Sequence, residues 1–205
     1  MEEPRSTIRS NAEVINRLNA RIDETLRHRG QSEAKRREWE QACAAFHKAY
    51  PDLFFPGGSN GWGAFLARDP GMREAAIEFL EADPWFFRSG YLKQTIWTRL
   101  KQSLLSVEEL QRLEAVALAY LAKQAYLEFW YMARYVRARG SAEFWSAIAQ
   151  LAEHDQTDRG TKAGWLLLAR SNYPVQNWLG REFLRARYES GYVPNIHFLR
   201  AANAA

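Results

Sequence analysis

The chain has 205 residues, 28 basic and 24 acidic side chains, a formal charge of +4, and one cysteine. That length can bury a core without metal or disulfide, and the lone Cys43 excludes an intramolecular disulfide and a cysteine-rich zinc site. The opening Met1-Glu2-Glu3-Pro4-Arg5 is charged with no apolar core behind it, unlike a secretory signal. The most apolar run, 115–136, carries Lys123, Gln124, Glu128 and Arg134, so a cytoplasmic protein with no membrane span is expected.

In chain order, Ser10 and Glu13 stand at capping-box spacing ahead of Ile15, Leu18, Ile22 and Leu26, which recur at helical period; Arg29-Gly30 ends that helix. Residues 1–30 could form a protruding N-terminal helix. A second helix is expected from Ser32, with Trp39, Cys43, Phe46 and Tyr50 on one stripe and Pro51 closing it. The segment 51–63, with two prolines and four glycines, reads as an irregular lid, binding loop or connector in which Phe54-Phe55 must find cover.

Two Asp-Pro pairs follow. Asp69-Pro70 and Asp83-Pro84 each place a capping aspartate before a residue whose missing N–H costs nothing at a helix start, and predict helices over 71–82 and 85–102. Ser106 with Glu109 gives another capping box, and no glycine or proline interrupts 106–139, which is one helix or two meeting near Lys123-Gln124. Gly140-Ser141 ends it and caps the next helix, to about Glu153. A further helix carries Trp165-Leu166-Leu167-Leu168 until Tyr173-Pro174, and a last one is expected over 175–188. Alternation of apolar and polar residues never persists. The expectation is one all-α domain over 1–205, an irregular array of eight or nine helices.

Asp69-Pro70-Gly71-Met72-Arg73-Glu74-Ala75-Ala76-Ile77-Glu78-Phe79-Leu80 resembles the second helix of a HEAT-type repeat, and Asp158-Arg159-Gly160-Thr161-Lys162-Ala163 is a looser echo of it. The resemblance implies HEAT-like helical elements within the array, although the two matches do not stand at a repeat period. Tyr50-Pro51-Asp52-Leu53-Phe54 is similar to a short element of FinO/ProQ-type RNA chaperones, which there leads into a Pro-Leu-Lys segment of the RNA-binding face. Here Pro56-Gly57-Gly58-Ser59 follows, with no lysine, and the chain is not assigned to that family.

Eight tryptophans, nine tyrosines and eleven phenylalanines crowd the helical segments, as in Trp85-Phe86-Phe87 and Phe129-Trp130-Tyr131. Such surface is either packed or presented to a partner. No catalytic spacing accompanies it: His28, His47, His154 and His197 have no partner at the spacing of a familiar zinc motif, Cys43-His47 lies on an apolar stripe, His154-Asp155-Asp158 reads as a capped turn, and Gly57-Gly58-Ser59-Asn60-Gly61 lacks a phosphate-loop lysine. No metal or cofactor is expected. The polar residues Arg88, Glu128 and Arg134, with Tyr131, interrupt apolar stretches and mark a candidate pocket.

Residues 160–205 hold six basic and two acidic groups, the whole net charge of the chain. Arg181, Arg185 and Arg187, with Trp178 and Tyr188, form a candidate binding surface, arginines for phosphate or an acidic partner and rings for stacking. The leading expectation is a non-enzymatic interaction or adaptor protein holding a protein partner through an aromatic- and arginine-rich surface. The alternatives are an RNA- or single-strand-binding protein using the basic C-terminal helix, and a helical enzyme or small-ligand binder with an aromatic pocket.

Overall fold

The computed structural model describes residues 2–125 and 127–171. Among them every regular element is helical: α1 (Glu2–Leu26), α2 (Glu33–Leu53), α3 (Gly58–Leu66), α4 (Gly71–Ala82), α5 (Ser89–Lys101), α6 (Val107–Tyr120), α7 (Leu127–Arg139), α8 (Ala142–His154) and α9 (Asp158–Arg170). The all-α array is as expected. The chain divides into two compact units, Met1–Ile96 and Trp97–Ala205. The expected last helix over 175–188 lies outside the described residues.

In the first unit α1 packs on α2 and α4, while α3 packs on α2 and α4. Helix α1 begins well before Ser10, because Arg5 pairs with Glu81 at 2.7 Å and Ile8 is buried, so tertiary contact holds the first turns that no side-chain cap holds. Pro4 sits in the first turn, where its missing donor is no loss. Helix α2 does start at Ser32, whose side chain accepts from the Lys35 N–H. It does not stop at Pro51 but runs to Leu53. A proline so near the C-terminal end forfeits little of the hydrogen-bond ladder, and the stacked Tyr50 and Phe54 rings, 5.3 Å apart, continue the helical course past it.

The expected irregular segment shrinks accordingly, with α3 starting at Gly58. Phe55, 1% exposed, is ringed by Trp62, Phe65 and Phe79 at 5.0–5.8 Å, which is the cover its sequence demanded. The turn into α3 passes so close to it that a Cβ on Gly61 would stand 2.1 Å from the Pro56 carbonyl oxygen.

In the second unit α6 packs on α7, and α9 packs on α7 and α8. The capping box of Ser106 and Glu109 is formed, and Ser141 caps α8. Glu114 reaches from α6 to accept from both the N–H and the hydroxyl of Ser141, at 2.6 and 3.0 Å, tying the start of α8 to α6. The stretch 106–139 is two helices. The carbonyls of Leu121 and Lys123, freed where α6 ends, accept from the buried Lys162 ammonium of α9, which also pairs with Asp158 at 2.5 Å. Trp97 and Tyr135 lie 5.0 Å apart at the centre of this unit, both essentially without exposure; neither the Trp97 indole N–H nor the Tyr135 hydroxyl has a partner among the described residues.

Two outcomes follow for stability, each measurable by urea unfolding. Gly61→Ala should cost about 2–3 kcal/mol, since backbone rather than a flexible side chain must yield. Burial, and then the Glu114 carboxylate, push the Tyr135 hydroxyl well above the ordinary tyrosine range. The folded state therefore holds that proton where the unfolded chain releases it, and stability falls as pH rises through about 10. Tyr135→Phe should leave stability at pH 7 unchanged or raise it by up to about 2 kcal/mol, and should flatten that alkaline decline.

Candidate interaction surface

Helix α4 does not hand over directly to another helix. Asp83 takes a left-handed conformation (φ +46°) and ends α4 instead of opening the helix expected at 85; its carboxylate pairs at 2.5 Å with Lys93, a side chain 2% exposed. An aspartate adopts this backbone more readily than most residues, and a proline soon after a helix end serves termination as well as it serves initiation. The chain then runs through 84–88 and enters α5 at Ser89 after a second left-handed residue, Arg88 (φ +68°).

The backbone of this turn is held from several sides. Asn16 of α1 donates to the Trp85 carbonyl at 2.7 Å and Arg9 of α1 to the Ala82 carbonyl at 3.3 Å. Tyr50 of α2 donates to the Phe87 carbonyl at 3.3 Å. The buried Ser89 hydroxyl accepts from the Phe86 N–H at 3.1 Å, while the Ser89 N–H returns a bond to the Phe86 carbonyl at 2.9 Å. Phe86 is the inward anchor, 6% exposed and edge-on to Phe79 and Tyr50.

Its neighbours face out. Trp85 is 59% exposed, Phe87 49% and Tyr91 63%. The Arg88 guanidinium lies over the Phe87 ring at 5.4 Å. Burial raises the Tyr50 hydroxyl above its ordinary value, with the Arg88 charge opposing, so Tyr50 is a neutral donor across the physiological range. The physical content is a turn whose backbone is fixed and whose large aromatic side chains stand in solvent, the arrangement in which ordering costs are met before any partner arrives.

The other sequence candidates fall elsewhere. Arg88 is exposed in the turn, not buried within an apolar helix, because α5 begins after it. Glu128, Tyr131 and Arg134 lie on α7 in the second unit: Glu128 is buried at 3%, Tyr131 half-buried, and Arg134 exposed over the Trp130 and Tyr131 rings at 5.0 and 5.8 Å. Glu128 and Arg134 thus serve opposite environments of one helix. Arg181, Arg185, Arg187, Trp178 and Tyr188 lie outside the described residues. Lys35, Arg36 and Arg37 pair with Glu33, Glu38 and Glu40 along α2, and Arg139 donates to the Lys101 and Ser103 carbonyls.

His154 is exposed beside Glu153. Asp155 accepts from the Thr157 N–H and hydroxyl, bonds that hold its carboxyl below the usual range, and Asp158 is taken by Lys162. Among the described residues no group of three His, Cys, Asp or Glu could hold a metal ion, and no helix is long and apolar enough to cross a membrane. An open cleft of about 810 Å³ lies within the second unit, floored by Leu118, Ala147 and Leu151 and rimmed by Gln150, His154 and Arg159. Tyr91 carried no motif in the sequence; its place one helical turn beyond Arg88 was the available signal.

No family model, no curated protein and no solved structure matches the chain, so the HEAT-type and FinO/ProQ-type likenesses rest on their few residues alone.

The division between Phe86 and Trp85 is measurable. Phe86→Ala should cost about 3–5 kcal/mol by chemical unfolding, as a large buried ring. Trp85→Ala should stay within about 0.5 kcal/mol of the parent, as a mainly solvent-facing one.

Proposed function

We propose that the chain is a non-enzymatic interaction protein that holds a protein partner on Trp85, Phe87 and Arg88 of the turn and Tyr91 at the start of α5. The observation that carries this reading is three large aromatic side chains exposed together in 85–91 on a backbone bonded from α1, α2 and α5. Tryptophan, tyrosine and arginine are the residues that dominate binding energy in protein interfaces, and a fixed backbone lowers the entropy lost on association. An isolated exposed aromatic needs no explanation, but a cluster held against solvent does. The alternative of RNA binding rests on Arg181, Arg185 and Arg187, and its signature would be affinity that falls steeply with salt.

The test is a photo-crosslinking amino acid in place of Tyr91, with the same group in place of the exposed Gln111 as control, irradiated in cells that make the protein. Discrete protein adducts at position 91, absent at 111 and suppressed by Trp85→Ala, are the expected result. Adducts to nucleic acid alone, or a pattern that ignores Trp85→Ala, would defeat the reading. Against the recovered partner, Trp85→Ala should weaken binding by about 2 kcal/mol or more.

A further inference from the structure

Resting on that reading, we infer that the segment recognised by the turn is acidic as well as apolar: a short stretch of a partner protein whose carboxylate engages Arg88 while a neighbouring apolar side chain lies on Trp85, Phe87 or Tyr91.

The argument begins with the charges of 81–93, which are Glu81, Asp83, Arg88 and Lys93. Glu81 is bound by Arg5 at 2.7 Å and Asp83 by Lys93 at 2.5 Å. Each acid of the stretch thus has a basic partner, and the charge left over is that of Arg88. Its guanidinium rests on the Phe87 ring, and no carboxylate among the described residues pairs with it.

A guanidinium held over a ring face by a cation–π contact keeps N–H groups for another acceptor. Its planar fork meets a carboxylate through two parallel bonds. The left-handed backbone at Arg88 is a conformation that a non-glycine residue enters at a cost, and here its side chain lies over the Phe87 ring. A single arginine among aromatics suits one carboxylate beside apolar groups. A nucleic-acid backbone or an anionic membrane would call for a run of cations; 81–93 offers Arg88, and Arg9 of α1, the other arginine at this turn, is bonded to the Ala82 carbonyl.

The experiment is selection of a random twelve-residue displayed peptide library on the full-length protein, followed by binding of the resynthesised peptides to wild type, Trp85→Ala, Arg88→Gln and Arg88→Lys. The inference expects selected peptides with Asp or Glu next to a large apolar residue, and binding weakened about tenfold or more by Arg88→Gln. It also expects loss of binding in Trp85→Ala, partial retention in Arg88→Lys, and weaker binding at 300 mM than at 50 mM salt. Circular dichroism identical to wild type shows that each variant is folded. Peptides that require Trp85 but ignore Arg88→Gln would overturn the acidic partner and leave the protein-binding reading standing. Failure to select any peptide whose binding depends on Trp85 or Arg88 would overturn both, as would binding of phosphatidylserine vesicles in place of peptide.

Discussion

Asp83 leaves α4 in a left-handed conformation, and the ammonium of Lys93, buried within the same unit, holds it there at 2.5 Å. Without that pair the Asp-Pro step has an ordinary local solution, a capped helix beginning at once. With it, the chain must cross from α4 to α5 through a non-helical segment, and Trp85, Phe86 and Phe87 are released from helical period. Their alternation of out, in and half-out follows.

The second unit uses a related device. Lys162 of α9 reaches the Leu121 and Lys123 carbonyls where α6 ends, as Lys93 of α5 reaches the residue that ends α4. The chain has only six lysines against twenty-two arginines, yet two lysines are buried, each with its ammonium at the C-terminal end of another helix. A cation is favoured there by the aligned carbonyls. In the second unit the ammonium satisfies carbonyls that a longer helix would have satisfied itself; in the first it pairs with the carboxylate of the residue that ends the helix.

This explains which parts of the molecule were legible in the residues alone. The starts of α2, α6 and α8 were, because Ser32, Ser106 with Glu109, and Ser141 satisfy nearby backbone donors within their own first turn. Local chemistry that closes locally can be read locally. The start of α1, the passage of α2 through Pro51, the early onset of α3 and the late onset of α5 at Ser89 were not, since each is decided by contacts outside its own first turn: Arg5 with Glu81, the packing of Phe54 and Phe55, and Asp83 with Lys93. The candidate surface was half visible. Trp85-Phe86-Phe87-Arg88 stood out as an aromatic run with a charge, but period alone assigned Arg88 to an apolar helix. Only the left-handed pair at 83 and 88 turns it, Trp85 and Tyr91 toward solvent.

The contrast between the two aromatic populations bears on what the surface can do. Inside the first unit, Phe46, Tyr50, Phe54, Trp62, Phe55, Phe79 and Phe86 pass ring contacts from one to the next, each worth about 0.5–1.5 kcal/mol beyond the area it buries. Phe87 belongs to both sets: its ring meets Phe46 edge-on at 6.0 Å on one side and carries Arg88 at 5.4 Å on the other. The cation is therefore seated on a ring that is itself seated on the core. A partner's carboxylate that reaches Arg88 meets a group already seated against an aromatic ring. Long flexible arginines elsewhere on the surface, such as Arg36 and Arg37 of α2, are occupied by carboxylates of their own helix. The same residue type is thus neutralised in one place and held ready in the other, and the fold rather than the composition makes that distinction.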